Sequence, residues 1–171
     1  TSGSNIYYND GNVGIGTSSP TNDLHVSSTS NVAARFESST SAARIRFKDP
    51  DGDAFLGNVG DALTFYTSSS LTERLRIDSS GNVGIGVTPN THNLGKALEI
   101  GAEGNVLWGE GAGNIHLLSN AYYNGGYKYA TSAPAGRYNI YQNTHTWARA
   151  SSGTADAAAT FTESMRLDSS G

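Results

Sequence analysis

Apolar residues in this chain fall on alternate positions in short runs, and turn-forming residues bound each run. Leu75 and Ile77 alternate with Arg74, Arg76 and Asp78. Ile45 and Phe47 alternate with Arg44, Arg46 and Lys48, Leu24 and Val26 flank His25, and Leu63 pairs with Phe65. Ile115-His116-Leu117 alternates in the same way. Period-two runs of about 4–6 residues predict half-buried strands. Between them, Asp49-Pro50-Asp51-Gly52-Asp53 and Asp78-Ser79-Ser80-Gly81-Asn82 carry turn chemistry, because Asp and Ser cap nearby backbone and Gly accepts positive φ. No stretch holds a helical period. The best helix candidate is 154–162, with its Ala157-Ala158-Ala159 run, but the corresponding Leu71–Ile77 segment alternates like a strand.

The strand pattern repeats. Gly11-Asn12-Val13-Gly14-Ile15-Gly16 returns as Gly81-Asn82-Val83-Gly84-Ile85-Gly86, and each copy is followed by a proline, Pro20 or Pro89. The block from Leu71 to Gly81 returns from Phe161 to Gly171 with its Thr-Glu, Arg and Asp-Ser-Ser-Gly positions unchanged. Internal repeats outrank other motifs in a first reading. They divide the chain into 1–10, the end of a preceding repeat, 11–80, a first β-module, and 81–171, a longer second module with an aromatic-rich insertion. Gly171 reads as the first residue of a third copy, and both chain ends read as cuts within a longer protein. Each joint predicts a β-hairpin with Val83 and Ile85 (Val13 and Ile15 in the first copy) on one face. Gly84 and Gly86 (Gly14 and Gly16) leave the other face bare, and that bareness predicts close approach of a neighbouring chain.

Composition sharpens this into an expectation about assembly. Leu, Ile, Val and Phe number 31 of 171, about 18%, whereas Gly, Ser, Thr and Asn number 74. That is little material for a private core, yet it is well patterned, so burial against copies of itself is expected. With 11 Lys and Arg and a net charge of −4, no nucleic-acid footprint is expected. Cysteine is absent, and no run approaches the ~18 apolar residues of a membrane helix.

Candidate chemistry is sparse. GNVGIG is not the GxGxxG of a phosphate cradle. His25, His92, His116 and His145 do not pair at metal-ligand spacing, although a three-fold axis could gather one from each chain. The Asp49–Asp53 carboxylates suit calcium, but Pro-Asp-Gly is itself a turn signal. No Ser sits in a GxSxG elbow, and nothing singles out two of Glu103, Glu110, Asp156 and Glu163 as a glycosidase pair. No enzyme, cofactor or metal site is expected. Recognition, if any, points to the aromatic insertion. Tyr122, Tyr123, Tyr127, Tyr129, Tyr138, Tyr141 and Trp147 offer faces for sugar rings, and Arg137 with Asn120, Asn124, Asn139 and Gln142 offers hydroxyl partners. Packing of the same aromatics inside an assembly is the competing reading.

Glu73-Arg74-Leu75-Arg76-Ile77-Asp78-Ser79-Ser80-Gly81-Asn82-Val83-Gly84-Ile85-Gly86 resembles a repeat of bacteriophage tail fibres and related tail appendages, as does Gly11–Pro20 followed by Leu24-His25-Val26. Asn120-Ala121-Tyr122-Tyr123, Lys128-Tyr129, His145-Thr146-Trp147 and Ser152-Gly153-Thr154-Ala155 are similar to a second module of such fibres. In that family the repeats often precede a C-terminal intramolecular chaperone domain, which is absent from this sequence. The resemblance implies an all-β, elongated, intertwined homotrimer of β-prism or triple-β-helix type. It would be assembled in the host cytoplasm, carried on the virion tail beside other tail proteins, and serve as shaft and as binder of a host-surface glycan. A polysaccharide-depolymerising tail spike and a bacterial surface fibre are the alternatives.

Overall fold

A computed structural model describes residues 11–110 and 113–171. The chain is all-β, with no helix among the described residues, and divides into two compact units, Thr1–Glu37 and Ser38–Gly171. In the first unit β1 (Val13–Ile15) and β2 (Leu24–Val26) pair in parallel, Val13 opposite Leu24.

The second unit is built on one sheet that follows the chain almost strand by strand. Its members are β3 (Ala42–Lys48), β4 (Asp53–Val59), β5 (Ala62–Thr67), β6 (Thr72–Ile77), β7 (Val83–Ile85), β8 (Lys96–Ile100), β9 (Val106–Glu110) and β10 (Asn114–Ser119), then β13 (Ala135–Tyr141), β14 (Thr144–Ala150) and β15 (Thr162–Leu167). A separate hairpin, β11 (Ala121–Tyr123) and β12 (Tyr127–Tyr129), leaves the sheet between β10 and β13. All pairs in the large sheet are antiparallel except β7–β8. That arrangement is the cheap outcome of short strands joined by tight turns.

The repeat is structural as well as textual. The strand β6 has its counterpart in β15, 90 residues on, and both strands carry one extra residue at the matching position. Arg74 lies between the Leu75 and Glu73 pairings, and Ser164 between the Met165 and Glu163 pairings. Gly11, Gly81 and Gly171 share a positive φ, near +84° to +95°. The turn forms as expected: Asp78 accepts hydrogen bonds from the Asn82 and Gly81 backbone through its side chain and carbonyl, and β6 and β7 pair as a hairpin across it. In both copies the VGI strand is followed by a parallel strand, and the carbonyl of its Ile accepts from beyond that strand: Ile15 from Ser27 N (2.8 Å), Ile85 from Gly101 N (2.9 Å). From the VGI strand onward the two copies therefore keep one local fold despite the unequal module lengths.

The 154–162 segment is a turn and a single bridge, Ala158 to Lys128, leading into β15. The Asp49–Asp53 carboxylates serve a hairpin. Asp49 Oδ1 accepts from the Asp51 and Gly52 amides, and Asp53 pairs with Arg46.

The bare side of the joint requires a correction. The crossover from β7 to β8 passes over Gly84, so a Cβ there would lie 2.2 Å from the Val87 carbonyl oxygen and 2.8 Å from Pro89 Cδ. Gly14 meets the Thr17 carbonyl oxygen in the same way, at 2.4 Å. Close approach is real, but the approaching backbone is the chain's own. Gly86 is needed for its φ of +68°, not for space. Gly84→Val should lower unfolding free energy by about 1–3 kcal/mol; an unchanged urea midpoint would remove the crossover from the account.

Register assigns each side chain to one of two faces. One face is covered from within the chain by the crossover and by the β11–β12 hairpin. The buried cluster there joins Ala97, Val106, Trp108 and Leu118 of the sheet to Ala121 and Tyr129 of the hairpin, with Ala135, Ala150 and Ala159. The other face is open. One cross-strand row on it runs Leu63–Ile77–Val83–Leu98–Leu107–Leu117–Tyr138–Trp147–Met165, through nine strands.

Candidate functional site

The covered face holds most of the polar chemistry. Trp108 is fully buried, stacked between His116 (ring centroids 4.5 Å) and Tyr123 (4.7 Å), with Tyr127 edge-on at 6.2 Å. Its indole N–H donates to the Leu94 carbonyl. Beside it Glu99 is fully buried on β8 and accepts from the Asn90 amide N (2.9 Å) and Asn90 Nδ2 (2.7 Å) of the crossover. Asn120, at φ +54°, ties the start of the hairpin to the segment before β13. Its Oδ1 accepts from Thr131 N and Oγ1, and its Nδ2 donates to the carbonyls of Thr131, Ala133 and Pro134.

Against this frame the aromatic candidates separate. Tyr122 and Tyr129 are buried: Tyr122 donates to Asp156 (2.6 Å) and Tyr129 to the Ser151 carbonyl (2.5 Å). Burial, with the Asp156 carboxylate beside it, pushes the Tyr122 phenol up to about 12. Tyr123 and Tyr127 pack on Trp108, and burial raises the Tyr127 phenol as well. Tyr138 and Trp147 pair across β13–β14 on the open face, centroids 5.0 Å apart, and Tyr138 shares a hydrogen bond with His145 (2.6 Å). Arg137 and Tyr141 lie together elsewhere, on the covered face of β13, at a polar cavity of about 420 Å3 that β14 and β15 complete. The joint residues Gly81, Val83, Gly84, Ile85 and Asp78 are all engaged in the hairpin and crossover described above.

Three of the four carboxylates weighed as catalytic are individually tied, and the fourth, Glu103, is exposed in the β8–β9 turn. Glu110 accepts from Asn114 (2.9 Å), Asp156 from Tyr122, and Glu163 forms a two-point pair with Arg166 (3.0 and 2.7 Å). No group of three or more His, Asp or Glu arranged to hold a metal occurs among the described residues.

Sequence reasoning passed over Glu99, Asn90 and Asn82. Asn82 is buried and its Oδ1 accepts from the Ala97 amide (3.1 Å), linking the joint to β8. Its identity in both repeat copies was the available signal. Glu99 offered none, since a fully buried glutamate follows from the crossover and not from period.

His116 gives the covered face a pH response. Burial, then the nearby Arg137 charge, holds its pKa below 6.5. The unfolded chain therefore takes up this proton first as pH falls, and the stability tied to neutral His116 is complete above 6.5 and declines below it. The melting temperature should drop between about pH 7 and pH 5, and His116→Gln should flatten that slope. Equal slopes in the two proteins would assign the response to another group.

No family model matches the chain, and no curated protein matches it.

Proposed function

We propose that this chain is a structural segment of a homotrimeric fibre of the phage-tail type, with the open faces of three sheets turned toward one another and the covered faces outward. The observation that carries the reading is the apolar row across nine strands, with no element of the described part of Ser38–Gly171 lying over it. Leu63, Ile77, Leu107, Leu117 and Met165 of that row remain 36–53% exposed, and Phe65, Ile85, Ile100, Ile115 and Leu167 flank it on the same face. Single exposed apolar residues are ordinary, but a contiguous face of this extent is an interaction surface.

A second copy is the occupant best supported. The row is regular because register puts one apolar side chain of each strand on this face, so identical chains aligned in parallel set like rows at like heights. Gly109 adds a local indication. It lies on the open face with room for a Cβ and an ordinary φ, in the floor of a groove of about 380 Å3 between Leu98, Leu107 and Ile115. Nothing among the described residues requires glycine there, and a strand glycine without internal cause suits close approach from outside. Burying the remaining exposed half of about ten such side chains is worth on the order of 10 kcal/mol per chain, enough to exceed the entropy of association.

The role that follows is non-enzymatic: shaft and spacer, displaying the aromatic module on its outer side. The test is the native mass by light scattering. Three times 17.9 kDa is expected; a folded single chain would make a self-contained β-domain the better reading.

A further inference from the structure

We propose that the cavity between β13, β14 and β15 binds a carboxylated sugar, with Arg137 as its anion partner and Tyr141 as its stacking platform. The cavity opens on the covered face, opposite the apolar row, and so stays accessible in the assembly proposed above. Its volume of about 420 Å3 falls within the range of small-ligand sites, roughly 300–1,000 Å3.

The charges in it do not balance. Glu163 is matched by Arg166 in a two-point pair, which leaves Arg137 as the surplus cation. Arg137 has no carboxylate within salt-bridge distance among the described residues. Instead its guanidinium carbon sits 4.9 Å from the Tyr127 ring centre and 5.2 Å from that of Phe161. Those rings fix the plane of the guanidinium, and the Tyr127 hydroxyl takes a hydrogen bond from it, but Nε is shielded from water with no partner. A held, partly desolvated guanidinium is a strong receptor for a carboxylate.

The remaining wall is suited to hydroxyls. Asn139 Oδ1, beside Arg137 on the same strand, is also shielded and unpaired. Thr146 faces Asn139 across the ladder, and Gln142 and Thr144 close the far end. The Tyr141 ring is 40% exposed at the rim, placed to meet the C–H face of a sugar ring. A bare anion would use Arg137 and leave these groups idle; a neutral sugar would leave the guanidinium unmatched. One ligand class uses both.

The turn provides an independent sign. Tyr141-Gln142-Asn143-Thr144 is a two-residue hairpin turn with φ +47° at Gln142 and +62° at Asn143. Asn suits that conformation; Gln does not, and Asn or Gly would form the same turn more readily. A strained residue beside a cavity is a mark of use.

The experiment is ligand-observed saturation-transfer NMR on the full chain with glucuronate, N-acetylneuraminate and glucose. Saturable transfer to at least one acidic sugar is expected, with glucose about tenfold weaker. Arg137→Gln should erase the preference for charge, and Tyr141→Ala should weaken binding several-fold without moving the melting temperature. Gln142→Asn should raise stability while lowering affinity, a combination that a merely structural role would not produce. If Arg137→Gln fails to fold, Tyr141→Ala and Gln142→Asn still decide the matter. Absence of saturable transfer at millimolar sugar, equal binding of glucose, or binding untouched by the rim variants would each overturn the proposal. The site lies within one chain, so a protein that binds acidic sugar but runs as a single chain would remove the fibre reading and leave this one standing.

Discussion

Leu117→Asp is expected to run as a single 17.9 kDa chain where the natural sequence runs at three times that mass. Leu117 sits mid-row on the open face, opposite Leu107 on one side and Tyr138 on the other, and is half exposed in the isolated chain. In a separate chain the new carboxylate reaches water and does little harm. In a three-fold assembly it appears three times around one axis, each copy desolvated and facing its equals. An unpaired buried charge costs several kcal/mol, so the combined penalty exceeds what the surrounding apolar surface returns. Gly109→Val refines the test. A Cβ there meets nothing within 4 Å in the chain, so the fold should be kept or slightly stabilised while the mass falls. If both variants keep the mass of the natural protein, the open face is not where the copies meet.

The period of two made the strands and turns legible. Leu75–Ile77, Ile45–Phe47 and Leu63–Phe65 all lie on strands that alternation finds, and Asp78–Asn82 and Asp49–Asp53 are turns for the reasons their residues give. Alternation cannot say which face is covered. Leu107 and Trp108 are neighbours on β9; both are apolar, and they end on opposite sides of the sheet. Only the path of the crossover and of the β11–β12 hairpin decides that Trp108 is interior and Leu107 is not. The glycines misled for the same reason: Gly84 is bare because the crossover returns over it, and that crossover rests on β7 pairing in parallel with β8. The aromatic insertion was legible as a cluster but not as three separate environments. Its cavity joins Arg137 to Glu163 and Arg166, nearly thirty residues apart, through strand order alone.

The two faces divide the stability of the molecule unequally along its length, and Trp108→Ala exposes the division. The buried cluster draws all its members from residues 97–159; on β3 to β6 the buried apolar side chains are Ala62 and Tyr66. Trp108 is the largest wholly buried side chain, and its removal takes away the stacks with His116 and Tyr123 and the anchor to Leu94. Truncating such a residue costs about 3–5 kcal/mol, a large share of the roughly 5–15 kcal/mol that holds an ordinary domain together. In urea the variant should lose its midpoint in step with that figure, and Trp108→Phe should recover part of it by restoring an aromatic face between the two rings. The loss should be local in origin: hydrogen exchange should quicken first in the β11–β12 hairpin and the 86–95 crossover, which Trp108 supports directly. Leu117→Asp should show the opposite pattern. Its separate chain keeps the Trp108 cluster, and so keeps protection over 97–159, but strands β3 to β6 lose the open-face burial on which they depend and become sensitive to protease. Two variants on neighbouring strands, each loosening the half of the sheet that the other leaves intact, would show that the chain carries one core of its own and shares a second with its copies. Uniform loss of protection in both would mean that the faces fold as one unit, and that assembly and the private core are inseparable.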